Sequence, residues 1–241
     1  MANHFTMEHA IISGDIIAST SLNDVDRKKM GESINILSKE LGDKFNVYSR
    51  ITEGDDSIVC YVPNIPDALR VMLAIKCYIK AIPVSTINSN KQEDTRLKFF
   101  KIHRIRLALG IGELSRLEVE KGIFDGEAIY YSGRLLSASK TYKKGKVIIK
   151  NTLFLESNDP EFDNEIIPIL ALLDVIISQC TSKQCEVLYL KLMKNEEALI
   201  ADKLKRSQST INEHSTQAGW NAIEKAVTRF EEKVRQKQSV S

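Results

Sequence analysis

The stretch Ile11-Ile12-Ser13-Gly14-Asp15-Ile16-Ile17-Ala18-Ser19-Thr20 decides how this chain folds. It is apolar and β-branched and ends in small residues, which is the pattern of a central strand stopping at a loop. It also delivers a carboxylate to that loop. A second carboxylate comes from Thr52-Glu53-Gly54-Asp55-Asp56, between the short apolar runs 46–51 and 57–62. Gly54-Asp55 reads as a two-residue hairpin turn. A chain that runs strand, helix, hairpin, helix, strand forms a split βαβ sandwich, in which the third strand lies beside the first. The expected fold is therefore α+β and ferredoxin-like, with Asp15 and Asp55 at the same end of neighbouring strands. Two carboxylates so placed repel each other unless a cation or proton sits between them, and an oxygen-rich, few-carboxylate site suits Mg²⁺ or Mn²⁺ holding phosphates. The alternative is that both acids cap loops or turns.

Working outward, residues 24–45 place Met30, Ile34, Leu37, Leu41 and Phe45 at helical spacing, with Asn23 or Asp24 as the cap. Residues 66–82 form a second helix with a wide apolar face, and 83–94 a polar loop. A long strand is expected over 98–112, where Phe100, Ile102, Ile105, Leu107 and Leu109 interleave with basic residues. A polar loop follows to Lys121, then a helix over 127–141 and a closing strand at 147–149. After the turn cluster Asn158-Asp159-Pro160 comes a strongly apolar helix over 166–177, with Pro168 tolerable only in its first turn. It reads as a connector and a candidate dimerisation helix. The expected division is 1–157 for the α/β domain, 158–180 for the connector and 181–241 for an all-α domain.

With 241 residues the chain has room for two domains and a sizeable core. Residues 181–241 carry a net charge of +3 against −1 for the rest, an asymmetry that permits nucleic-acid binding without arguing for it. No basic segment followed by an apolar run opens the sequence. The longest apolar run is broken by Pro168 and Asp174, so no membrane partnership is expected and the cytoplasm is the expected location. Cys60, Cys77, Cys180 and Cys185 lack metal-type pairing and read as reduced, mostly buried thiols. His103 and His214 have no partners at metal spacing.

The C-terminal segment reads as three helices and a fourth. Thr181 caps the first, through about Met193; the second covers 196–204 and the third 207–218. The pattern Ile200-Ala201-x-x-Leu204-x-x-Ser207-x-Ser209-Thr210-Ile211 is that of a helix-turn-helix. Ala201 lets the helices approach, Leu204 and Ile211 fill the small core, and Ser207 caps the third helix. Lys205 stands where a glycine usually makes the turn, which costs on the order of 1 kcal/mol. Lys203, Lys205 and Arg206 are offered to phosphates, and Gln208, Ser209, Thr210 and Asn212 to base edges in a major groove. A small helical interaction domain is the competing reading. In the last helix Trp220, Ile223, Val227, Phe230 and Val234 share one stripe, as core or dimer contacts.

Three segments together resemble the catalytic domain of class III nucleotidyl cyclases, which such sequences share with a bacterial family called SatD-like. They are the Ser13 to Thr20 run, the Ile51 to Asp56 run, and Ile105-Arg106-Leu107-Ala108-Leu109-Gly110-Ile111-Gly112-Glu113 followed by Gly126-Glu127-Ala128-Ile129-Tyr130-Tyr131-Ser132-Gly133-Arg134-Leu135. The likeness implies that Asp15 and Asp55 hold Mg²⁺ or Mn²⁺ on a nucleotide or another phosphorylated ligand. It implies that Arg134 steadies the phosphates, as a catalytic residue in an enzyme, and that the chain forms a homodimer. The departures are Tyr130 in place of an asparagine, and Ile51 and Ile123 in place of a base-reading lysine and aspartate. The metal half of the site is kept and the purine and ribose half is lost. Thr181 to Leu188, opening a helix-turn-helix that ends near Gly219-Trp220-Asn221-Ala222-Ile223, resembles the SatD-like C-terminal half. The expected function is a DNA-binding transcriptional regulator with a degenerate cyclase-like domain. A metal-dependent nucleotidyl-transfer enzyme and a ligand-free dimeric scaffold are the alternatives.

Overall fold

A computed structural model describes residues 8–17, 22–52, 57–84, 100–139, 142–143, 146–147 and 151–240. The first strand, β1 (Glu8–Ile16), buries Ile11 and Ile12 completely and is the centre of the sheet. α1 (Asp24–Phe45) starts where Asn23 accepts a hydrogen bond from the Asp26 amide at 2.7 Å, and ends at Asn46 in the left-handed region. β2 (Tyr48–Thr52) and β3 (Ser57–Val62) follow, and their described pairing ends at Thr52 opposite Ser57. The proposed Gly54-Asp55 turn lies outside the described residues. A 3₁₀ turn (Ile65–Asp67) leads into α2 (Ala68–Ala81), and β4 (Ile105–Glu118) returns beside β1. The strand order β2-β3-β1-β4, antiparallel throughout, is the expected split βαβ arrangement. The fold is α+β.

The long strand differs from expectation at both ends. Residues 100–103 are helical, and Arg104, at φ 58°, makes the corner into β4. The strand then runs on past Gly112 to Glu118, because β5 (Ile123–Gly126) pairs with its far half where a polar loop was expected. α3 (Glu127–Ala138) follows. Val147 belongs to a short ribbon of β6 (Tyr142–Lys143) and β7 (Lys146–Val147), and Ile148 and Ile149 of the expected closing strand lie outside the described residues. The strand that completes the sheet is β8 (Leu153–Ser157), parallel to β4.

The apolar helix is longer than expected. α4 (Pro160–Gln179) starts at Asp159, whose side chain accepts from the Glu161 and Phe162 amides, so Pro168 stands inside it rather than in its first turn. Pro168 is on the exposed face, where the carbonyl it leaves unpaired can be hydrated. α5 (Ser182–Leu192) opens with a capping box between Thr181 and Gln184. α6 (Glu197–Leu204), α7 (Gln208–Gln217) and α8 (Trp220–Val240) complete the chain.

α1 and α2 cover one face of the sheet, against Ala10, Ile12 and Ile16 of β1 and Ile105, Leu107 and Leu109 of β4. α2 is buried on nearly its whole circumference, since α5 and α8 pack on its far side and their apolar residues join the same core. The α8 stripe of Ile223, Val227 and Phe230 is fully buried, which makes it core. Two lysines on α2 are buried with it. Lys76 donates to the carbonyls of His103 (2.8 Å) and Ile105 (2.7 Å) and to Thr152 Oγ1 (2.5 Å), with Asp174 at 3.8 Å. Lys80 donates to the carbonyls of Ile177 and Ser178 at the end of α4. All four cysteines are free and buried, and burial pushes the Cys60 thiol up to about 12.

Candidate functional site

α3 lies on the other face of the sheet, against the odd residues of β1 (Ile11, Ser13, Asp15) and the even residues of β4 (Arg106, Ala108, Gly110, Gly112). Small residues are needed there. A Cβ on Gly110 would lie 2.0 Å from the Ala128 carbonyl oxygen, and one on Gly112 would lie 2.9 Å from Glu127 Cβ. The helix approaches closely enough for the Ser13 and Ser132 hydroxyls to bond at 2.8 Å in the buried interior.

Asp15 stands at the open end of this seam. Its register partner on β3 is Ser57. Asp55 itself lies outside the described residues. On the other side Asp15 is paired with Arg106, and Arg106 Nη2 donates to its carboxylate. The same guanidinium donates through Nη1 to the carbonyls of Leu136 and Ser139, where α3 ends. Arg106 thus has negative charge on both sides: a carboxylate, and the carbonyl end of a helix. Its side chain is 12 % exposed and that of Asp15 35 %.

This arrangement bears directly on the implied Mg²⁺ or Mn²⁺. The first ligand a metal would need, the Asp15 carboxylate, is already neutralised by a fixed cation. A dication about 4 Å from that guanidinium would be repelled by roughly 8 kcal/mol at an effective dielectric constant of about 20. Among the described residues no three His, Cys, Asp or Glu side chains group to hold an ion. Among the described residues the arrangement does not fit the metal; Asp55, the second implied ligand, lies outside them.

Arg134 is not brought to Asp15. It lies on the outer side of α3, 64 % exposed, ion-paired with Glu156 and 5.7 Å from the Tyr131 ring centroid. Glu156 is in register with Gly110, four residues along β4 from Arg106, or roughly 13 Å. Tyr130 is exposed and donates to Asp125 Oδ1 at 2.6 Å, while Ile51 packs against the main core. Ile51 and Ile123, at the base-reading positions of the cyclase pattern, offer no polar side-chain group to a base.

The C-terminal site residues are brought together. The chain turns between α6 and α7 through Lys205 (φ 50°, ψ 50°), whose amide and that of Arg206 bond back to Asp202 and Ala201 carbonyls. Ser207 Oγ accepts from the Thr210 amide at 3.1 Å and caps α7. Ile200, Ala201 and Ile211 form a small buried cluster with Val187, joined by Leu190 and Leu204. Lys203, Lys205, Arg206, Gln208, Ser209 and Asn212 are all exposed. Thr210 is half-buried and its hydroxyl is bonded to that of Ser207 at 2.9 Å. Asp202 and Glu213 punctuate the same surface. Lys203 also lines a groove of about 390 Å³ between α1, α2, α5 and α6, with Lys29, Tyr78, Glu186 and Tyr189.

Sequence reasoning missed Arg106 and the Lys76–Asp174 pair. Arg106 had a signal: its strand parity puts it on the face of Ala108, Gly110 and Gly112, where a large cation needs a partner. Lys76 had one too, as a lone cation in the run Val71-Met72-Leu73-Ala74-Ile75-Lys76-Cys77.

Neither a family model nor a curated protein matches the chain. Among solved structures it is similar to two of bacterial light-regulated adenylyl cyclases. One is 13 % identical, spanning 61 % of this chain and 74 % of that one at a TM-score of 0.40. The other is 15 % identical, over 61 % and 43 % of the two chains, at 0.42. The adenylyl cyclase CyaB from P. aeruginosa is 14 % identical over 56 % of this chain and 74 % of its own, at 0.33. The fold rests on its own strand order and register, and the activity of those proteins is theirs.

Proposed function

We propose that this protein is a DNA-binding regulator in which α7 enters the major groove, carried by a sandwich that has lost the equipment of a nucleotide site. The observation that carries the reading is the exposed set Lys203, Lys205 and Arg206, three cations that precede a capped helix whose outer face is polar. Lys203, Lys205 and Arg206 are assigned to phosphates and Gln208, Ser209 and Asn212 to base edges. Thr210 is occupied with Ser207 and has a supporting place at the helix start. The homodimer belongs to the same reading, since a two-fold operator asks for two copies of α7.

The test is fluorescence anisotropy with labelled duplexes tiled across the protein's own locus, over a salt series. At least one duplex is expected to bind with a steep salt dependence. Replacing Lys203, Lys205 and Arg206 together by Ala is expected to lower the salt slope by about 3, roughly one unit per phosphate contact. A protein that retards no duplex even at low salt sinks the reading. Metal-dependent nucleotidyl transfer is the alternative reading; it would need an ion on Asp15 beside the guanidinium that Arg106 already places there.

A further inference from the structure

We propose that the carboxylate site on the sheet face works without a divalent metal, and that the Arg106 guanidinium is its resident cation. Three observations carry this, none of which depends on the DNA reading. Asp15 and Arg106 are direct register partners on adjacent central strands, so the pair is set by the backbone rather than by a chance reach of two side chains. The guanidinium is held from a second side by Leu136 and Ser139 carbonyls at the end of α3, so it cannot swing away to admit another cation without abandoning a helix terminus. The seam beneath it is closed by the Ser13–Ser132 bond and by the contact at Gly110, which leaves α3 no room to shift toward the sheet.

Arg106 is a positioning residue in this account. It ties β1, β4 and the end of α3 at one point, doing with a permanent charge what a bound ion would do with an exchangeable one. The sheet face then has a structural task at this end, with no ion to gain or lose.

The test uses the full-length protein and Mn²⁺ alone as the probe. Free Mn²⁺ is followed by its electron paramagnetic resonance signal during titration into wild type and the near-isosteric Asp15→Asn. The expected result is the same free-ion signal for both. Sub-millimolar binding in wild type that disappears in Asp15→Asn overturns the proposal. The ion pair is read separately, from thermal midpoints of Asp15→Asn, Arg106→Gln and the double variant. Each single change is expected to lower the midpoint by roughly 2–4 °C, and the double change by clearly less than the sum. Strictly additive shifts overturn the claim that Arg106 is the partner of Asp15.

Discussion

Charge placement at single residues governs both faces of the sheet. Lys76 is fully buried, and burial draws its ammonium down to about 8 although Asp174 opposes the shift. Three acceptors and one carboxylate converge on it, so removing it leaves the buried Asp174 carboxyl without its cation. Lys76→Met is expected to cost about 3–5 kcal/mol of unfolding free energy, measured by urea denaturation. A loss below 1 kcal/mol would show that the network is not holding α2, β4 and α4 together. Neither this pair nor the Asp15–Arg106 pair was named from the sequence, for one reason. A residue's own position can be read from periodicity, but its partner comes from a strand or helix far along the chain, and register supplies it only once the sheet is assembled. Asp15 was legible as an acid at a strand end; the cation across from it was one of several basic residues on an alternating run.

At the level of elements, the reading succeeded where local signals were strong and failed where pairing decides. The caps at Thr181 and Ser207 stand as expected, and of Asn23 and Asp24 it is Asn23 that caps α1, because a cap is a contact between residues three apart. β5 and β8 were missed, because Ile123–Gly126 and Leu153–Ser157 are short and become strands through the edge of β4. The left-handed Lys205 makes the α6–α7 turn testable by itself. Lys205→Gly relieves the strained backbone and is expected to raise stability by up to about 1 kcal/mol in chemical denaturation. The same change removes a proposed phosphate contact and is expected to lower the DNA salt slope by about 1. A variant that gains stability while its DNA affinity is untouched would take Lys205 out of the interface.

For the whole molecule, the shared core is the governing fact. α2 meets the sheet on one side and α5 and α8 on the other, and Arg70 on its first turn is held by Glu231 of α8 at 2.7 Å. At the far end of α8, Lys237 pairs with Glu8 of the first strand at 3.2 Å. No helix among the described residues is long and apolar enough to cross a membrane. A fragment ending at residue 180 should therefore expose the outer side of α2 and bind an apolar dye strongly, whereas the whole chain should not. A soluble fragment with cooperative unfolding and no dye binding would show that the sandwich folds alone.

The same embrace of α2 has a consequence in time. α2 leaves the ribosome complete at Ala81, but the helices that cover its outer side are finished only at Leu192 and Val240. At the usual pace of synthesis, about 5–20 residues per second, the wait for the last helix is roughly 8–30 s. Throughout that interval α2 has one side without its partners, so the nascent chain exposes an apolar helix face that only later synthesis covers.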